Sequence, residues 1–429
     1  MPAQDADNVA APPVRVAPEG HYMDAARALN LLHLGEQAGA VYWKPRGLRL
    51  YENLRQFIRQ RHLQWGYEEV KTPSLVPISV FERSGHLAKY RDFMFILPEQ
   101  AQSGADVPQA AAAGLVQELA QGARGQALRP MNCPSHIEIY ASERRSYRQL
   151  PYRLFEFGEV FRHESAGALQ VLFRQRQFCQ DDSHVFVAPN QIQAEVARYL
   201  RLARQVYAEL GFEKVEVNVS LRPEMRFGDD EAWQLAEDAL RMACKQAGLE
   251  HSEEPGGGAF YGPKVELGVR DRLGRRWQLG TIQLDYVLPE RFELEFVDEH
   301  DRRCRPVMLH HAVLGSLERM LGVLLEVYGV ALPVLLHPLS RVVLAVSDKS
   351  AGYADQLCEH LRREQGLAAH LDVSSGKLGA KLRAYRLLGV PEIFVVGEAE
   401  AQRHAQDGIW RANINHRGQP RAQPWAGQP

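Results

Sequence analysis

The sequence predicts an α/β chain in two parts. The first is an α+β domain with an antiparallel sheet flanked by helices, the second a smaller α/β domain on a parallel sheet. Three observations carry that expectation. LFEFGEVF (154–161) and FCQDDSHVF (178–186) are strand-like runs joined by a polar loop, which reads as a long hairpin. Residues 259–297 alternate in the manner of strands, with a turn at Asp271–Gly274. After Pro338, strand-like runs (VVLAV, AAHLDV, EIFVVG) alternate with helix-like ones (YADQLCEHLRREQG, KLGAKLRAYRLLG), the signature of a parallel α/β unit.

The remaining elements follow in order. Residues 1–21 are rich in Ala, Pro and Asp and read as a disordered tail. Residues 22–35 read as a short helix. Residues 47–65 place Leu50, Leu54, Phe57 and Ile58 at helical spacing. A strand is expected at 67–72, ending at Pro73. The Ala/Gln/Gly-rich stretch 99–127 reads as an inserted loop, with one helix from Pro108 to about Gly122. Helices are expected at 190–210, stopped by Gly211, and at 229–247, opened by Asp229 and stopped by Gly248. Residues 310–329 read as a buried helix. The domains are therefore 22–333 and 338–429.

Composition limits the function classes. The 429 residues carry a formal net charge of −2, so no global field draws the chain to nucleic acid. Five scattered cysteines without a CxxC argue against a disulfide framework and for a reducing, cytoplasmic setting. No run of about 18 apolar residues exists, so no membrane span is expected.

The chemistry concentrates in FRHESAGALQVLFRQRQFCQDDSHVF (161–186). Arginines held with carboxylates on a hairpin are costly to bury unless a charged ligand is present, and their planar fork suits phosphate oxygens. The hairpin reads as the floor of a nucleotide site. Taken singly, its residues and their candidate partners have plainer readings. Cys133 alone is a small buried hydrophobe, His184 a strand histidine, His310 a helix cap, Arg319 a surface arginine and Phe178 a core ring.

Taken together they carry more. MNCPSH (131–136), the hairpin, GGGAFYGPK (256–264), LGTIQLDYVLPERF (279–292) and PVMLHHAVLGSLERMLGVLLE (306–326) resemble, in this order, the motifs of the threonyl-tRNA synthetase family, a group of class II aminoacyl-tRNA synthetases. The resemblance implies a homodimer that uses ATP and Mg²⁺ to activate threonine and passes it to tRNA(Thr). It puts the dimer-interface motif at 67–85. It implies that Arg162 holds the α-phosphate, that Arg319 holds the γ-phosphate, and that Glu164, Phe178 and Gln278 receive the rest of the nucleotide. It implies Zn²⁺ on Cys133, His184 and His310, with Asp182 taking the substrate's ammonium group. Met131, Gln180, Tyr261, Gln283 and Ser316 would line the amino-acid pocket, and Lys264 would join Arg162 and Arg319 as a catalytic residue. The C-terminal part would be anticodon-binding-like.

Departures from the family set further expectations. The chain begins where the family's catalytic domain begins, without the usual N-terminal editing module. Gln170, Val171 and Gln177 replace the family's histidine-glycine pair and glycine in the hairpin loop, and His311 replaces an arginine beside the third zinc ligand. Val373 and two serines stand where charged residues are usual, and the C-terminal end lacks the usual closing helix. An alternative acceptor, a carrier protein or a small molecule in place of tRNA, follows from those departures.

Overall fold

A computed structural model describes residues 21–98, 125–227, 229–365, 369–417 and 423–426. Residues 1–20 of the expected 1–21 tail, and residues 99–124 of the expected insertion with the helix expected there, lie outside the described residues. Packing divides the chain into two units, one of residues 35–40 and 55–321, the other of 1–34, 41–54 and 322–429.

The larger unit is built on an eight-stranded sheet. In chain order its strands are Glu68–Glu69 (β1), Tyr152–Phe161 (β2), Gln177–Val187 (β3), Glu216–Ser220 (β4), Ser252–Glu254 (β5), Lys264–Arg270 (β6), Arg276–Asp285 (β7) and Val307–Ser316 (β8). Their order across the sheet is β5-β4-β6-β7-β8-β3-β2-β1. The six central strands pair antiparallel. The two edge strands are short and parallel to their neighbours, β5 to β4 and β1 to β2. Short edges suit a sheet that must not extend by pairing. The expected hairpin is β2–β3, paired from Tyr152↔Phe186 to Phe161↔Gln177.

Three helices of this unit bear on the sheet and its site: Cys133–Ala141 (α1), Ile192–Glu209 (α2) and Asp230–Gln246 (α3). Helix α2 buries Val196, Tyr199, Leu200, Ala203, Val206 and Tyr207, an apolar stripe at helical spacing. Burying each of Val196, Leu200 and Val206 stabilises by about 1.5–3 kcal/mol. Two of these rings are also pinned to the sheet. Tyr199 donates to the Ala312 carbonyl at 3.0 Å and Tyr207 to that of Val313 at 2.6 Å. Gly280 returns its N–H to the Tyr207 hydroxyl at 2.9 Å, and a Cβ there would sit 2.7 Å from that oxygen. Helix α3 opens as expected, with the Asp229 carboxylate accepting from Ala232 N–H at 2.8 Å.

Several expected elements differ. The 22–35 helix ends at Ala28, because Asn30 turns left-handed (φ 56°) and Leu32–Leu34 is a strand. The 67–72 strand shrinks to β1, and residues 125–127 of the expected insertion belong to a strand, Gly125–Leu128. Within 259–297, Val287–Arg291 is a helical turn. The largest difference is at 310–329. Residues 307–316 form β8, and the helix (Leu317–Tyr328, α4) begins only after it. Central β8 is buried along Val307–His311, and an apolar run of that kind cannot be told from a buried helix by periodicity.

The smaller unit holds a five-stranded sheet. Arg341–Ala345, Ala369–Asp372 and Glu392–Val396 pair in parallel, as expected. Arg411–His416 and Gln423–Ala426 then add antiparallel, so the sheet is mixed rather than parallel throughout. Its core is formed by Val343, Leu357, Leu361, Phe394, Val396 and Ile414. Among the described residues, no helix is long and apolar enough to cross a membrane.

Candidate functional site

Strand alternation builds the site. Phe178, Gln180, Asp182 and His184 occupy every second position of β3 and so share one face, spanning about 20 Å at ~3.3 Å per residue. Asp181 points to the other face and is structural. Its carboxylate accepts the Val313 N–H at 2.9 Å and the Leu314 N–H at 3.0 Å. The two adjacent aspartates of QDD are thus separated by the pleat into a brace and a site residue.

At one end of that face, Cys133, His184 and His310 bring their ligand atoms within 4.8 Å of one another. Cys133 opens α1. His184 and His310 are register partners on β3 and β8, with ring centroids 4.8 Å apart. Each imidazole has a second partner. His310 Nε2 lies 2.8 Å from Asp285 Oδ2, at the end of β7, while the other Asp285 oxygen accepts the N–H groups of Val287 and Leu288. His184 Nδ1 lies 2.8 Å from His136 Nδ1, on α1. Nε2 of His184 is buried without a hydrogen-bond partner. Burial, followed by the charges of His136, His310 and His311, holds His184 far below the usual imidazole range and therefore neutral. A neutral imidazole with a buried free nitrogen, beside a cysteine sulfur and a carboxylate-backed histidine, fits a soft divalent cation such as zinc. Asp182 sits beside this group with one oxygen held by Asn132 Nδ2 at 2.8 Å. Burial pushes its carboxyl up, against the pull of His136 and Asn132.

At the other end lies a polar cavity of about 420 Å³. Arg162, Glu164, Phe178, Gln180, Gln278, Ser316 and Arg319 line it. Arg162 stands over the Phe178 ring at 5.2 Å and donates to the Pro130 carbonyl at 3.2 Å. Arg319, on α4, donates to the Phe173 carbonyl at 3.1 Å. Burial, then repulsion from Arg174 and Arg162, lowers the Arg319 pKa. Three guanidinium groups therefore converge, and Glu164 pairs with Arg174 at 3.0 Å. Such convergence is unfavourable in the empty protein and favourable around a polyanion. A second cavity of about 380 Å³, lined by Phe227, Trp233 and Tyr286, is apolar and shares only Tyr261 with the expected site residues.

Between the two ends, Tyr261 donates to Gln283 at 2.9 Å, and its ring lies 5.8 Å from that of His310. Lys264 Nζ and Gln278 Nε2 both reach Glu266 Oε1 at 2.6 Å. Met131 lies half-buried two residues before Cys133. Sequence reasoning missed Asn132, His136, Asp285 and Glu266, and left Arg174 unassigned. It also missed His86, a buried imidazole held at about 4 by burial and by the nearby charge of His310. Asn132 and His136 do stand in the quoted MNCPSH run, but nothing in sequence reveals their partners. His311, the departure beside His310, donates or accepts at Tyr67 Oη across 2.9 Å and is buried.

Residues 118–328 match the tRNA synthetase class II core domain (G, H, P, S and T), and residues 341–413 match the anticodon binding domain. The chain is 45% identical over 377 residues to a threonine–tRNA ligase of Gluconacetobacter diazotrophicus, covering 88% of this chain and 56% of that one. It is 43% identical to that of Parvibaculum lavamentivorans, over 88% and 56%. The chain thus spans a little over half the length of the curated relatives it matches. In three dimensions it is similar to the RNA binding domain of threonyl-tRNA synthetase from Cryptosporidium parvum Iowa II, with TM-score 0.82, 35% identity and 94% of each chain covered. It is also similar to the putative threonyl-tRNA synthetase ThrRS-1 of Aeropyrum pernix, with TM-score 0.74 and 25% identity, covering 95% of this chain and 91% of that one.

Proposed function

The chain belongs to the threonyl-tRNA synthetase family of class II synthetases, and from that premise we propose that it activates threonine with ATP and transfers it to tRNA(Thr). The observation that carries this reading is the single face of β3, which runs from the arginine-lined cavity to the Cys133–His184–His310 group.

In this reading the nucleotide occupies the polar cavity. Phe178 stacks on adenine beside Glu164, Arg162 holds the α-phosphate, and Arg319 the γ-phosphate. Gln278 and Ser316 line the pocket. A threonine carboxylate oxygen attacks the α-phosphorus, a P–O bond forms to it, and the bond to pyrophosphate breaks. The charge growing on the phosphate oxygens meets arginines already in place, with Lys264 adding its ammonium. Mg²⁺, when bound with ATP, neutralises phosphate charge. Asp182 receives the threonine ammonium, a role that its raised carboxyl suits because a bound cation would return it to the ionised state. Met131, Gln180, Tyr261 and Gln283 close the amino-acid pocket.

Cys133, His184 and His310 would hold Zn²⁺, leaving a coordination position open. Bound there, zinc would supply a Lewis acid for the threonine hydroxyl, with the ammonium left to Asp182. A site that demands a hydroxyl rejects valine strongly, while serine retains the group. A terminal tRNA hydroxyl then displaces AMP from the adenylate. The match of residues 341–413 to an anticodon binding domain supports RNA as partner. We assign catalysis to residues 22–333 and RNA recognition to 338–429, in a homodimer joined through 67–85.

The test is amino-acid-dependent ATP–pyrophosphate exchange with threonine, serine and valine, followed by transfer of radiolabelled threonine to tRNA. Exchange with threonine but not valine, followed by transfer, is expected. Exchange without transfer would move the acceptor to a carrier protein or small molecule. Cys133→Ser and His310→Ala are expected to lose zinc and threonine-dependent exchange together.

A further inference from the structure

Behind the proposed zinc ligands runs a buried chain of polar groups. His184 Nδ1 meets His136 Nδ1 at 2.8 Å, and His136 Nε2 lies 3.4 Å from Glu156 Oε1. That same oxygen accepts from Arg129 Nη1 at 2.9 Å and from the Thr72 hydroxyl at 2.7 Å, and the other takes the Thr72 N–H at 3.0 Å. All of it is out of water: His136 and His184 are 0% exposed, Glu156 1% and Arg129 2%. Burying a carboxylate and an arginine together costs several kcal/mol of desolvation, which their mutual contacts must offset.

We infer that His136 and Glu156 are positioning residues that set the tautomer of His184 and thereby its readiness to bind metal. This rests on the zinc reading above. Two Nδ1 atoms 2.8 Å apart require one proton between them. Glu156 is acceptor-only when ionised, and it accepts from Arg129 and Thr72. Across 3.4 Å, without a hydrogen bond, its charge favours the His136 proton on Nε2, which leaves the His136 Nδ1 lone pair to accept from His184 Nδ1–H. The remaining His184 nitrogen, Nε2, then carries a lone pair. It is the atom buried without a hydrogen-bond partner. In the reverse arrangement His184 would present an N–H to Cys133 and His310, and no metal could bind it. The far end of the chain is Thr72, so the metal group is braced from the segment that precedes Pro73.

The experiment is zinc affinity of the full chain, read by competition with a chromophoric chelator, with thermal unfolding of the zinc-free form as a control for folding. His136→Leu removes the acceptor and is expected to weaken zinc by about 10–100-fold. His136→Asn, whose amide oxygen falls near the position of Nδ1, is expected to restore affinity to within a few-fold of wild type. A folded His136→Leu protein with wild-type zinc affinity would overturn the inference, as would an Asn variant no better than Leu. Should the Leu variant not fold, Glu156→Gln asks the same question, since an amide nitrogen facing His136 favours the reverse tautomer. Wild-type affinity in that variant would also overturn it. Absence of zinc binding by the wild-type chain is a different failure, because it removes the metal reading itself.

Discussion

The two ends of β3 solve opposite problems. At the cavity end, Arg162, Arg174 and Arg319 converge, and burial, then repulsion from Arg174 and Arg162, lowers the Arg319 pKa. At the proposed metal end, Asp285 backs His310, His136 backs His184 and Asn132 backs Asp182. In the cavity proposed for ATP, Arg162 and Arg319 donate to carbonyls and Arg174 pairs with Glu164, yet the three cations still crowd one another. In the proposed metal group, His310 and His184 each meet a further side chain, Asp285 and His136. The difference teaches that crowded cations and doubly partnered histidines are separate signals, which the proposed reading assigns to a polyanionic substrate and a bound cation.

That contrast can be broken most sharply at Arg319. Arg319→Ala should lower threonine-dependent exchange by about 10³-fold or more. Its thermal midpoint should stay unchanged or rise, because a buried, mutually repelling cation is removed. A variant that loses stability in step with activity would make Arg319 structural. Asp182→Asn comes next. Losing the charge partner of a buried ammonium costs about 2–5 kcal/mol, and this should raise the KM for threonine while that for ATP moves little. Equal effects on both substrates would count against separate ends of the site.

Asp285→Asn is smaller and acts through His310. Zinc affinity should fall about 10–100-fold, with ATP binding measured by equilibrium titration unaltered. The smallest effect is expected at Gly158, opposite Gln180 in the hairpin. A Cβ there would collide with the Asn132 side-chain amide. Gly158→Ala should cost about 1–3 kcal/mol by urea unfolding and displace the Asn132–Asp182 pair. An unchanged threonine KM in that variant would show that Asn132 is not needed to hold Asp182.

Much of this was legible in the sequence where the period is simple. The alternation of Phe178, Gln180, Asp182 and His184 follows from a strand of known direction, and Asp229 and Gly248 bracket their helix as chemistry dictates. Strand β8 was misread because Val307–Leu309 and Val313–Leu314 are buried without alternation. The supporting groups were illegible for another reason. Asp285 lies 25 residues from His310, and His136 lies 48 from His184, so only the folded sheet and the helix packed on it bring them together. The left-handed turn at Asn30, which ends the first helix early, is a local choice that periodicity does not encode.

The most direct measurement is ATP–pyrophosphate exchange on zinc-stripped and zinc-restored protein, with threonine and valine side by side. The predicted result is threonine-dependent exchange that vanishes on stripping and returns with stoichiometric zinc, and no valine-dependent exchange in either form. Undiminished threonine exchange in metal-free protein would contradict the joint site of metal group and arginine cavity.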